Sequence, residues 1–122
     1  MKITMGSIPI YRQIIDYFEL EIASGSLEPG EKIDSIRNLA QQFKVNPNTV
    51  QKALLELERD NYIYTDRTNG KFVTENEEII TGLKKMLIER FATEFIKGIN
   101  RLGFPKEEVL HMVSEAWEVV YE

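Results

Sequence analysis

The eight residues Val45-Asn46-Pro47-Asn48-Thr49-Val50-Gln51-Lys52 constrain the fold of this chain more tightly than any other stretch. An asparagine side chain accepts from the unpaired backbone N–H groups of a helix start, and proline supplies the fixed φ that suits a first helical position. Asn46-Pro47 therefore writes in a sharp helix start. The residues that follow on the exposed side are Asn48, Thr49, Gln51 and Lys52: amides, a hydroxyl and a cation, with no carboxylate. Amides pair with base edges and cations with phosphate, so such a helix suits a DNA groove as well as an ordinary capped surface position.

The flanking sequence decides between those two readings. Pro9 to Ser24 carries Ile10, Ile14, Ile15, Phe18 and Ile22 at helical spacing, bounded by Ser7 or by Ser24-Gly25. Leu27-Glu28-Pro29-Gly30 turns the chain. Asp34 and Ser35 are both good N-caps for a short helix to about Phe43, with Ile36, Leu39, Ala40 and Phe43 facing inward. Lys44-Val45 is a tight corner, Val45 plugging the core. The second capped helix then runs from Pro47 to about Asp60, burying Val50, Ala53, Leu54 and Leu57. Two short helices across such a turn make a helix-turn-helix, whose second helix enters the major groove with its N-terminal residues on the bases.

Asn61 follows where a left-handed residue ends a helix. Tyr62–Thr65 and Lys71–Thr74 are β-prone, and the Asn69-Gly70 pair between them signals a hairpin. A hairpin at that place makes the module a winged helix, with Arg67 and Lys71 flanking the tip. Glu75-Asn76-Glu77-Glu78 is an acidic break and the expected module boundary. Beyond it a long helix reads from Glu78 to Leu102, closed by Gly103, and a last helix follows Phe104-Pro105. Both carry more than one apolar stripe, which two helices cannot hide from water by themselves. A symmetric partner is the economical cover, with Leu83, Leu87, Phe91, Phe95, Ile99, Val113 and Trp117 as the expected dimer interface. The expected fold is thus mainly α with a small β-hairpin: a winged helix-turn-helix over residues 1–75, then a two-helix C-terminal dimerisation unit over residues 76–122.

A net charge of −5 argues at first against a nucleic-acid partner, but its distribution matters more than its sum. From Ser35 to Leu55 the charged residues are Arg37, Lys44 and Lys52, and every acid lies outside that window. A locally basic face on an acidic protein neutralises phosphates while limiting non-specific adhesion. No run approaches the roughly 18 apolar residues of a membrane span. The first seven residues lack the apolar core of a signal peptide, and cysteine is absent. The cytoplasm is the expected compartment. No phosphate-cradling glycine loop or transition-metal spacing appears, so no metal, cofactor or enzymatic activity is expected. His111 is the only histidine, and Glu77-Glu78 and Glu107-Glu108 sit where acids favour a helix start. The competing reading is a winged helix that binds protein rather than DNA, favoured weakly by the acidic total.

From Pro9 to Val73 the chain resembles the winged-helix domain of the GntR family of bacterial transcription regulators. The resemblance lies in Pro9-Ile10-Tyr11, Gly25 to Lys32, Ser35-Ile36-Arg37-Asn38-Leu39-Ala40, Val45 to Val50, and Gly70-Lys71-Phe72-Val73. Asn46-Pro47-Asn48-Thr49-Val50-Gln51, followed by only two helices, looks like the short YtrA-like subgroup. The resemblance implies that Arg37 meets a phosphate or a guanine edge. It further implies that Asn46, Asn48, Thr49 and Gln51 open the recognition helix and that Gly70 and Lys71 form the wing tip. Ser35, Lys52 and Asn69 complete the expected DNA-facing set. Pro47 and Gln51 stand where the broad family usually has arginines, Asp34 where it has proline, and Asn61 where it has glycine. The resemblance also implies a homodimeric regulator, expected to be a repressor of an ABC-transporter operon that includes its own gene. The sequence identifies no effector. Two helices enclose little volume, so an effector site is expected at the dimer interface or between the wing domain and the helices, with Met86, Met112 and Trp117 as candidate liners.

Overall fold

A computed structural model describes residues 8–121, so Ser7 and the segment read for a signal peptide lie outside the described residues. The elements are α1 (Ile10–Ser24), α2 (Ile36–Phe43), α3 (Pro47–Arg59), β1 (Ile63–Asp66), β2 (Gly70–Val73), α4 (Glu77–Asn100) and α5 (Lys106–Tyr121). They form two compact units, one ending at Leu87 and the next beginning at Ile88.

In the first unit α1 and α2 both pack on α3. The expected inner residues of α3, Val50, Ala53, Leu54 and Leu57, are all buried, as are Ile14, Ile15, Phe18 and Ile22 of α1. Tyr17, Phe18 and Phe43 meet edge to face with ring centroids 5.2 to 6.3 Å apart, which ties α1 to the end of α2. The corner between α2 and α3 is made by Lys44, left-handed at φ 57°, and by the Val45 N–H, which donates to Ala40 O at 3.0 Å. Val45 is half-buried and packs against the core. Asn61 adopts the expected left-handed conformation after α3 at φ 66°.

The hairpin is present, one residue out of step with the expected strands at each edge. Its register pairs Ile63 with Val73, Tyr64 with Phe72, Thr65 with Lys71 and Asp66 with Gly70. Arg67-Thr68-Asn69 therefore forms a three-residue loop, and the left-handed residue is Gly70 at φ 105°, with Asn69 not among those of positive φ. A two-residue Asn-Gly turn needs both residues left-handed. Here the Asp66 carboxylate decides the loop instead. It accepts from the Thr68 N–H and hydroxyl at 2.9 Å each, and from Asn69 Nδ2 at 3.4 Å. A third extended segment, read from sequence only as the end of a turn, lies along β2. Gly30 N–H donates to Val73 O at 2.9 Å, Val73 N–H to Glu31 O at 2.9 Å, and Ile33 N–H to Lys71 O at 2.8 Å.

Asn76 caps α4, its Oδ1 accepting from Glu78 N–H at 2.9 Å and Ile79 N–H at 3.3 Å. The acidic break marks the change from strand to helix but not the end of the core. Leu83 and Leu87, expected at a dimer interface, are 1% and 5% exposed in the same cluster as α1 and α3. The expected boundary at residues 75 and 76 moves accordingly to Leu87. Burying a leucine side chain is worth about 1.5–3 kcal/mol, which favours holding this part of α4 on the first core. The second unit has the opposite character: none of its described residues is buried, and Phe91, Phe95, Ile96, Leu102, Phe104, Met112 and Trp117 are exposed.

This boundary is testable. Leu83→Ala should destabilise the first unit by about 2–5 kcal/mol, and Phe91→Ala by no more than about 0.5 kcal/mol, read as hydrogen exchange of the α3 amides. An effect of Leu83→Ala as small as that expected of Phe91→Ala would return the boundary to the acidic break.

Candidate nucleic-acid interface

Three elements carry the residues expected to face DNA. At the start of α2, Ser35 is the N-cap, its hydroxyl oxygen accepting from Asn38 N–H at 3.1 Å. Asp34 sits one residue earlier and acts as a hub. Its Oδ1 accepts from Ser35 N–H at 2.8 Å and Asn38 Nδ2 at 2.9 Å, and its Oδ2 accepts from Gln42 Nε2 at 2.9 Å. The Asn38 amide, followed by the Ser35 N–H, holds the Asp34 carboxyl below the ordinary aspartate range. The acid that replaces the family's proline is thereby turned towards its own helix. Arg37, one residue into α2, is exposed.

At the start of α3, Asn46 Oδ1 accepts from Asn48 N–H at 2.8 Å, with Pro47 in the first turn. Asn46, Asn48, Gln51 and Lys52 are exposed and Thr49 is half-buried. Lys52 is steadied in a way the sequence reading missed, with Nζ 3.9 Å from the centre of the Tyr11 ring. A cation over an aromatic face gains about 0.5–1 kcal/mol at an exposed site. The only available signal was the Pro9-Ile10-Tyr11 motif, which by itself does not say what Tyr11 touches.

On the wing, Arg67, Asn69 and Gly70 are exposed at the tip, and Lys71 follows them at the start of β2 with its ammonium engaged within the chain. Its Nζ donates to Glu58 Oε1 of α3 at 3.0 Å and to Thr65 Oγ1 at 2.8 Å, and Thr65 Oγ1 donates to Glu58 Oε2 at 2.9 Å. The Lys71 hydrogen bond is the main reason the Glu58 carboxyl lies below its ordinary value of 4.5; burial opposes the shift and Thr65 assists it. Lys71 is half-buried and neutralised within the chain. Between the wing tip and the start of α2 runs an open groove of about 770 Å³, lined by residues 32–36, Leu54 and residues 69–71. Lys32, on the segment beside β2, borders it and forms no ion pair among the described residues.

Little elsewhere suggests chemistry. His111 Nε2 lies 3.1 Å from Glu115 Oε1 one helical turn on, both side chains largely exposed. No group of acids or histidines with metal-binding geometry occurs among the described residues, and no described helix is long and apolar enough to cross a membrane. Of the candidate effector liners, Met112 borders an apolar groove of about 430 Å³ with Phe95, Ile99 and Val113. Trp117 is exposed on α5, and Met86 packs against the core of the first unit.

Residues 10–73 match the family described as bacterial regulatory proteins, gntR family. The chain belongs to the GntR family. It is 41% identical over 112 residues to the HTH-type transcriptional repressor YtrA of Bacillus subtilis, covering 90% of this chain and 85% of that one. A GntR family transcriptional regulator from Listeria monocytogenes superposes with a TM-score of 0.83 at 38% identity, covering 92% of this chain and 98% of that one. The structure of AraR(DBD) in complex with operator ORX1 matches with a TM-score of 0.58 at 28% identity, covering 61% of this chain and 95% of that one. These relatives are transcriptional regulators rather than enzymes, and the winged-helix assignment agrees with the fold they share. As a GntR regulator the chain is a DNA-binding protein.

The Glu58–Lys71 pair sets a pH expectation. The folded pKa of Glu58 is depressed, so its contribution is complete above about 4.5 and disappears as pH falls through the lower folded value. With solvent screening the pair is worth under about 1 kcal/mol. Glu58→Gln should lower the thermal midpoint slightly at pH 7, and its gap from the unmodified chain should close below pH 4.5. A gap that persists unchanged in acid would remove the ion pair as its cause.

Proposed function

We propose that this GntR regulator is a repressor that binds an inverted-repeat operator as a homodimer. The observation that carries the DNA half of the reading is the outer face at the start of α3. There Asn46, Asn48, Gln51 and Lys52 are exposed on a capped helix, with no acid before Glu56. Asn48 and Gln51 can each bond bidentately to adenine, and Lys52 and Arg37 suit flanking phosphates. The usual arginines are replaced by Pro47 and Gln51, which moves readout away from guanine. Thr49 is half-buried on the same helix, and Ser35, Asn69 and Gly70 together border the groove between α2 and the wing.

The dimer half rests on the second unit, whose Phe91, Phe95 and Trp117 are 56%, 47% and 63% exposed. Surfaces that apolar need a partner in water. Phe91, Phe95, Ile99, Val113 and Trp117 remain the proposed interface, without Leu83 and Leu87. A C2 dimer would set two half-sites apart by about 34–36 Å, or a multiple of that, along the duplex. The resemblance to the YtrA-like subgroup supports the repressor role and an ABC-transporter operon as target, read in the cytoplasm.

Selection of bound duplexes from a random pool tests the reading side. Gln51→Ala should relax sequence choice at one position per half-site, a loss of about 1–3 kcal/mol of discrimination. Absence of duplex binding by the unmodified chain at about 50 mM salt would favour a protein-binding winged helix instead. For the dimer, Phe95→Glu should shift sedimentation to the monomer mass and weaken operator binding in parallel. An unchanged mass would exclude this face as the interface.

A further inference from the structure

Lys71 is the residue from which a wing phosphate contact is expected, and its ammonium is already held by Glu58 and Thr65 at 3.0 and 2.8 Å. Strand geometry explains why. Alternate residues of a strand point to opposite faces, and Lys71 stands opposite Thr65, on the face that meets α3. Phe72 points the other way, and the residue bridged to it on the adjoining segment is Lys32. Lys32 is exposed, and its Cε lies 3.3 Å from where a Cβ on Gly70 would stand. A side chain at position 70 would crowd the lysine stem as well as strain the backbone, which is left-handed there at φ 105°.

The acids flanking it in the sequence accept hydrogen bonds from other donors. Asp34 is engaged by Ser35, Asn38 and Gln42, and Glu31 Oε1 accepts from Glu28 N–H at 2.9 Å. Across the groove the Ser35 hydroxyl, which accepts from Asn38, keeps its own proton to donate. We propose that Lys32 is a cation, in addition to Arg67 at the tip, through which the wing side of this surface holds a DNA backbone phosphate, while Lys71 is a strut that fixes the hairpin to α3. The proposal rests on the DNA-binding reading above.

Fluorescence anisotropy of the full chain on a labelled mixed-sequence duplex, between about 50 and 200 mM salt, separates the two lysines. Lys32→Gln should weaken binding to all sequences alike and flatten the slope of log K against log salt by about 0.9 per bound protomer, about 1.8 for the homodimer, with Lys32→Arg restoring it. The double variant Glu58→Gln with Lys71→Met removes the pair without leaving a lone acid. It should keep the slope of the unmodified chain and lose only thermal stability. If the unmodified chain binds duplex and Lys32→Gln leaves the slope unchanged, the role of Lys32 is overturned while the DNA-binding reading stands. A slope flattened by about 0.9 per bound protomer in the double variant would overturn the strut. Failure of the unmodified chain to bind duplex at about 50 mM salt would overturn both readings.

Discussion

Complete burial of one face of α3 is the constraint on which the rest of this structure depends. Val50, Ala53, Leu54 and Leu57 are at most 1% exposed, and α1 and α2 pack on the helix that carries them. A helix with a dry stripe has no rotational freedom about its own axis. Once those four residues are inside, Asn48, Gln51 and Lys52 must be outside. The precision with which this protein presents these amides on its surface therefore comes from its core. The left-handed Lys44 and the Asn46 cap set where the helix begins, but the apolar stripe sets which way it faces.

The charge pattern follows the same logic. An acidic protein that binds a polyanion must keep its acids away from the contact face or occupy them. Glu19 is buried, and Asp34, Glu58 and Asp66 each accept hydrogen bonds from donors in the first unit. All three of those engaged carboxyls titrate below their ordinary values, mainly because of these hydrogen bonds. Each also does structural work: Asp34 at the start of α2, Asp66 in the wing loop, Glu58 between helix and wing. These acids thus help to build the module.

Local signals were legible where physics is local. Caps at Ser35 and Asn46, the left-handed Asn61 and the 3.6-residue stripes of α1 to α3 are properties of a few neighbouring residues, and the structure has them where the sequence put them. The hairpin was legible in its existence, but Asp66 imposed a three-residue loop that the Asn-Gly pair does not announce. What was not legible lies between residues distant in the chain. The Glu58–Lys71 pair spans 13 positions, Lys52 meets Tyr11 across the module, and the segment at Gly30–Ile33 finds β2 some forty residues later. Leu83 and Leu87 read as interface residues because their stripe is continuous with Phe91 and Phe95, and periodicity cannot say which partner a stripe meets.

By itself the sequence determined the helix starts, the buried stripes, the winged helix-turn-helix order and the acid-free face of amides from Asn46 to Lys52. Each of these depends on torsion preferences and spacing within a few turns. Only the tertiary structure decided which cations are paired within the chain, where the first core ends, and how much apolar surface the second unit leaves uncovered. Those are matters of which surfaces and charges meet, and a charge such as that of Lys71 is satisfied by whichever acid the fold brings beside it.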